Sequence, residues 1–161
     1  MSNKWVINAS PLILLAKAGP LDLLSRLTEQ LVIPASVVAE INQGPTHDPA
    51  QRWLSGPGAR FICPDSPPDQ RVSAWDLGQG ETAVLSWAFL NRGFEVILDD
   101  RAARKCAEIH SIPFRGSIGV ILAARKQNLI PAAKPICDDL VRAGLLIDGA
   151  LLLDALRLVG E

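Results

Sequence analysis

The chain has 161 residues, 48% of them apolar and 20% charged, which describes one globular domain long enough to bury a core and excludes a disordered chain. Sixteen Lys and Arg against 17 Asp and Glu leave a net charge of -1, so no global basic field draws the protein to nucleic acid and any such binding needs a local patch. Three widely spaced cysteines, Cys63, Cys106 and Cys137, form no Cys-x-x-Cys pair; a disulfide framework and a zinc ribbon are set aside in favour of reduced thiols in the cytoplasm.

The first apolar stretch is broken by Asn8, Ser10 and Pro11, which makes a poor signal peptide. No stretch reaches the roughly 18 uninterrupted apolar residues of a membrane span. Residues 145–159 come nearest, interrupted by Asp148, Asp154 and Arg157.

In chain order, 5–7 reads as a buried strand ending in polar Asn8. Ser10-Pro11 reads as a helix start, with Ser10 as N-cap. That helix should run to about residue 18 and stop at Gly19-Pro20, with a second over 21–27. Residues 31–33 are a strand, and Pro34 opens a helix over 35–42 closed by Gly44-Pro45. The segment 44–70 is dense in Pro and Gly; it carries a short helix near 50–54 and a strand at 60–63. Gly78-Gln79-Gly80 leads into a long helix over 81–91, and 95–98 is a strand followed by a helix over 101–110. Pro113-Phe114 reads as a short strand, and 117–127, 131–143 and 150–159 as helices.

Short apolar strands alternating with helices, without hairpin signals, predict a central, mainly parallel sheet flanked by helices on both faces. Residues 131–161 are expected as a helical extension packed on this single domain.

In such sheets, polar groups at the carboxyl ends of strands face the ligand crevice. Asn8 ends the first strand, Glu40 lies near the end of the helix after the second, Glu81 opens the long helix, and Asp99 and Asp100 end the strand 95–98. Acids gathered from distant parts of a chain suit a hard divalent cation, which takes oxygen ligands. Each also has an ordinary use: strand termination for Asn8, a solvated helix face for Glu40, a helix-dipole partner for Glu81, an N-cap for Asp99 or Asp100. Their joint order along the chain favours the site.

The segments Val6-Ile7-Asn8-Ala9-Ser10-Pro11-Leu12-Ile13, Val32-Ile33-Pro34 through Glu40, Gly80-Glu81-Thr82-Ala83 and Leu98-Asp99-Asp100-Arg101-Ala102-Ala103-Arg104 resemble the PIN-domain proteins, in particular a compact prokaryotic subgroup related to VapC-type toxins. Gly116-Ser117-Ile118-Gly119-Val120, 123–126 and the tail from Leu151 extend the resemblance over nearly the whole chain. It implies a three-layer α/β/α fold, a site that binds Mg²⁺ or Mn²⁺, and hydrolysis of RNA phosphodiesters. It implies Glu40, Glu81 and Asp100 as acidic ligands, Asp99 as a neighbouring candidate, and Ser10 as a supporting hydroxyl. Asn8 departs from the pattern, which has Asp there. An amide oxygen still ligates a cation but brings no charge and cannot serve as a base. Asn8 thus marks either a naturally weakened member or an introduced, nearly isosteric exchange.

Cations for RNA are expected at Arg101, Arg104 and Lys105, which share a helix face, and at Arg115, ahead of a Gly116-Ser117 helix start whose backbone N–H groups could hold a phosphate. An ordinary charged helix face is the competing reading. His47 and His110 stand alone, Trp87 and Phe89 read as core or interface, and Gly78-Gln79-Gly80 lacks the Lys-Ser/Thr of a P-loop. The leading expectation is the toxin ribonuclease of a toxin–antitoxin pair, with RNA as substrate and an antitoxin protein as partner. A catalytically inactive PIN-like module that binds RNA or a protein is the alternative. A hydrolase of small phosphate esters using Asp99 and Asp100 is a third. A mean hydropathy of +0.21 and apolar runs at 12–15 and 151–153 suggest a homodimer.

Overall fold

The computed structural model describes residues 3–19 and 21–161. Among the described residues five strands form the sheet: β1 (Lys4–Ile7), β2 (Gln30–Pro34), β3 (Ile62–Cys63), β4 (Phe94–Ile97) and β5 (Phe114–Arg115). Every pairing is parallel, in the order β3-β2-β1-β4-β5. Central β1 pairs Val6 with Val32 on one side and Val6 with Val96 on the other. Val6, Ile7, Val32, Ile33, Val96 and Ile97 are all buried, as a sheet covered on both faces requires.

Ten α-helices among the described residues surround it: α1 (Ala9–Ala18), α2 (Asp22–Leu27), α3 (Ala35–Asn42), α4 (Pro49–Leu54), α5 (Gln70–Ser73), α6 (Gln79–Leu90), α7 (Arg101–Ile109), α8 (Ser117–Lys126), α9 (Lys134–Arg142) and α10 (Gly149–Arg157). α6 packs directly on β1, β2 and β4 and meets α3, α5 and α7. α1 and α2 pack with α8, and α9 and α10 stack on that group. The result is the expected three-layer α/β/α sandwich, with a sheet parallel throughout. Cys137 and Leu140 of α9 and Leu156 of α10 join the same buried cluster as the sheet residues. No helix among the described residues is long and apolar enough to cross a membrane.

Four local expectations change. Ser10 is not the cap of α1. Asn8, extended at φ -81° and ψ 166°, holds that position, and its carbonyl accepts the Leu12 N–H. Pro11 therefore falls in the first turn rather than at its first residue, where its missing N–H is still harmless. Gly19, at φ 110°, closes α1; Pro20, the second half of the predicted stop, lies outside the described residues. The predicted strand 60–63 is half a 3-10 turn over Ala59–Phe61 and only half strand. α5 is a short helix beyond those the sequence predicts; Asp69 caps it by accepting the Arg71 N–H. α9 begins at Lys134 because Pro135, not Pro131, sits in its first turn. The Glu161 carboxylate accepts the Ala133 and Lys134 N–H groups from outside the helix.

From β1 the chain steps outward to β2 and β3, then returns to the far side of β1 for β4 and β5. The strand order thus reverses at β1/β4, and a crevice opens at the carboxyl ends of the strands there.

Candidate metal centre

Asn8 leaves β1 at this reversal point. Its backbone N–H donates to the Ile97 carbonyl of β4 at 3.0 Å, and its side chain is only 1% exposed. The amide Nδ2 donates to Glu81 Oε1 at 3.4 Å. The amide Oδ1 is buried and has no hydrogen-bond partner among the described residues. A buried acceptor left unsatisfied costs about 1–3 kcal/mol, so a group that completes it would add stability.

Glu40, in the last turn of α3, reaches the same place. A Cβ built on Gly80 would lie 3.1 Å from Asn8 Oδ1 and 3.1 Å from Glu40 Oε2. The two oxygens therefore lie no more than twice that distance apart, over a backbone with no side chain of its own. Glu81 comes from the same first turn of α6, and its Oε2 lies close to where a Cβ on Gly78, the N-cap, would fall. Bare backbone at Gly78 and Gly80 lets three side chains fold over the start of α6, where the helix dipole favours negative charge.

The electrostatics follow. Partial burial, and then the charge of Glu81 beside it, raise the Glu40 carboxyl above its ordinary pKa. Two carboxylates and an unpartnered amide oxygen make an all-oxygen donor set, which suits a hard divalent cation. A cation there would relieve the Glu40–Glu81 repulsion and give Asn8 Oδ1 a partner. Asn8, Glu40 and Glu81 thus fit such an ion. Among the described residues, however, no three His, Cys, Asp or Glu side chains gather closely enough to hold a metal by themselves, so an ion here would need the Asn8 amide as well.

The two aspartates after β4 are occupied otherwise. Asp100 caps α7, with Oδ2 accepting the Ala103 N–H at 2.9 Å. Asp99 accepts the Ser117 N–H at 2.8 Å on Oδ1 and the Ser117 hydroxyl at 2.5 Å on Oδ2. Ser117 is fully buried. The α8 N-terminus therefore has its leading N–H bound to a carboxylate of the chain, which corrects the expectation of a free phosphate cradle there. Ser117, expected as a supporting residue of the site, bonds Asp99 and does not line the cleft that holds Asn8, Glu40 and Glu81.

A cleft of about 340 Å³ opens over the acids, lined by Asn8, Ser10, Ile13, Lys17, Glu40 and Glu81 among others. Ser10 lies at its rim, exposed. A second cavity, about 540 Å³, lies past Asp99 and includes Arg101 and Arg104. Asp100 lines neither. Arg101, Arg104 and Lys105 are exposed on α7. Arg115 is engaged: its Nε donates to Glu95 Oε1 at 3.0 Å and its guanidinium to the Gly119 carbonyl. His110 accepts the Trp75 indole N–H at 3.2 Å, a structural role.

Two features of the site escaped the sequence reading. Gly80 falls in a segment that carries the family resemblance, but only the structure shows that its lack of a Cβ is what admits Asn8 and Glu40. Lys17 lines the cleft as well; Ser10, Ile13, Leu14 and Lys17 fall at helical spacing on one face, a signal present in the sequence.

No curated protein matches the chain. A family model described as a PIN domain matches residues 4–161, nearly the whole chain. PIN domains are generally nucleases that work with divalent metal ions, in keeping with an oxygen-donor cleft at the strand-order reversal. By the extent of that match, the chain belongs to the PIN-domain family.

Proposed function

We propose that the protein is a metal-dependent endoribonuclease that hydrolyses RNA phosphodiesters and serves as the toxin of a toxin–antitoxin pair in the cytoplasm. The observation that supports this best is the convergence of Asn8 Oδ1 and Glu40 Oε2 on Gly80, with Glu81 beside them. These three side chains would hold Mg²⁺ or Mn²⁺, which when bound polarises a phosphodiester oxygen and makes a water more acidic. The chain's own part is positional. Glu40 and Glu81 supply the negative charge, and Asn8 supplies a neutral oxygen. Asp100 fixes the start of α7, whose Arg101, Arg104 and Lys105 would meet the RNA backbone. Arg115, paired with Glu95, contributes less. The toxin role, the antitoxin and a homodimeric state rest on the resemblance to the compact subgroup and on the apolar surface.

The test is cleavage of a mixed RNA pool with Mn²⁺ or Mg²⁺, by this chain and by Asn8→Asp. Cleavage that is faster with Asp at position 8 and stops with chelator supports the reading. If neither cuts RNA and Glu81→Ala leaves Mn²⁺ binding unchanged, the reading fails.

One observation favours a second reading, an inactive PIN-like module that binds RNA or protein. Asn8 brings no charge, and Asp99 and Asp100 spend hydrogen bonds on Ser117 and Ala103, which leaves two acids in the cleft. Binding without turnover, insensitive to chelator, would select that reading.

A further inference from the structure

The acid cleft is not only an acid cleft. Its long wall is one face of α1, where Ser10, Ile13, Leu14 and Lys17 line it in turn. At 1.5 Å of rise per residue, Lys17 lies about 10 Å along the helix axis from Ser10. The cleft therefore has an anionic end, at Asn8, Glu40 and Glu81, and a cationic end at Lys17. Between them lie Ile13 and Leu14 of α1, with Ala143 from the C-terminal end of α9 also on the lining.

Lys17 is exposed, and none of the ion pairs among the described residues includes it. A lysine in a last helical turn commonly serves only to offset the helix dipole. At α1 the end is already closed by Gly19, whose N–H donates to the Leu15 carbonyl. Two carboxylates at the other end of a small cleft repel a polyanion, so a strand entering it needs positive charge along its path.

We infer that the α1 face is the track of a single-stranded RNA, with the Lys17 ammonium holding a backbone phosphate flanking the one at the acids. The inference rests on the ribonuclease reading and adds to it the path of the strand and a positioning residue. Roughly 10 Å corresponds to about three nucleotides at stacked spacing, fewer in an extended strand. The residues lining the cleft include no aromatic ring, so the contact is to backbone and carries no base preference.

The experiment is fluorescence anisotropy with a pool of short labelled single-stranded oligoribonucleotides, with Ca²⁺ replacing Mg²⁺ and Mn²⁺ to hold cleavage down. It compares the parent chain with Lys17→Ala, Lys17→Arg and Arg26→Ala. Arg26 is an exposed cation in the last turn of α2 and matches the charge loss and helix-end position away from the cleft. Lys17→Ala should weaken binding up to about fivefold, evenly across sequences, and flatten the slope of log affinity against log salt by about 0.7. Lys17→Arg should restore both, and Arg26→Ala should change neither. If the parent binds RNA and Lys17→Ala matches it in affinity and slope, or Arg26→Ala does as much damage, the inference is overturned while the ribonuclease reading stands. If the parent binds no RNA, both fall together.

Discussion

Replacing Asn8 by Asp tests the centre without any RNA. In the parent, the Asn8 amide donates to Glu81 at 3.4 Å, a long and weak bond. With Asp there, the bond becomes a contact between like charges, next to a Glu40 whose pKa partial burial, and then Glu81, already raise. Two unit charges about 4 Å apart interact by about 4 kcal/mol at an effective dielectric of about 20. Movement of the half-buried Glu81 and partial proton uptake should bring the net loss to about 2–3 kcal/mol. For a domain of this size that lowers the melting temperature by about 5–10 °C. A cation bound only to the folded state returns about 2.7 kcal/mol at a hundred times its dissociation constant. Asn8→Asp should therefore melt well below the parent in chelator and close to it, or above, in Mn²⁺. The pH dependence has a definite sign. The new carboxyl, raised in the folded state, binds more protons folded than unfolded, so its penalty grows as pH rises and fades as pH falls toward the ordinary carboxyl range. Thermal unfolding across pH, with chelator and with Mn²⁺, reads all three effects. Equal melting of the two chains in chelator would show that positions 8 and 81 do not interact and would refute the convergence of the centre.

Gly80→Ala places a methyl 3.1 Å from both Asn8 Oδ1 and Glu40 Oε2; the gain in helix propensity, about 1 kcal/mol, offsets much of the crowding, so stability should shift by less than about 1 kcal/mol while Mn²⁺ affinity by calorimetry falls at least about tenfold. Unchanged Mn²⁺ affinity there would place the cation elsewhere. Glu40→Gln removes the repulsion from Glu81, so the variant should gain a little stability over the parent at neutral pH. Because the Glu40 pKa is raised, that advantage is largest above the folded pKa and disappears as pH falls below the ordinary carboxyl value; denaturant midpoints at neutral and acid pH measure it, and a gain that grows on acidification would contradict the shift. Asp99→Ala removes both partners of buried Ser117 and should cost about 2–4 kcal/mol, read as a lower denaturant midpoint; a loss below about 0.5 kcal/mol would mean the clamp is dispensable.

The elements that position the site were legible because their signals are local. The apolar triplets at 5–7 and 31–33 and the turn at Pro34 are short-range patterns, and β1, β2 and α3 follow them. Asn8, Glu40 and Glu81 are legible as candidates for a different reason, their places after the strands and in the helices beside them together with their order in a resembling family, and the cleft does bring those three together. What the sequence could not show is competition for a side chain. Asp99 looks as available as Glu81 until Ser117, 18 residues on, is seen to occupy both its oxygens. Asp100 serves an N-cap that pattern alone had allowed equally to Asp99. The start of α9 depended on a carboxylate from residue 161, a contact that no local window contains. Lys17 was visible all along at helical spacing, but its relevance depends on which face of α1 looks into the cleft.

The reversal of strand order at β1 has a consequence for how the protein comes into being. Asn8 is made early, yet its backbone N–H closes on Ile97, and Glu81 precedes that strand by only a crossover. During synthesis β1 can pair with β2 well before β4 exists, while the other side of β1 waits. A nascent chain cut short before Phe94 holds all three cleft side chains but not the strand that seats the first of them. The cleft is thus complete only where the second half of the sheet is paired with the first.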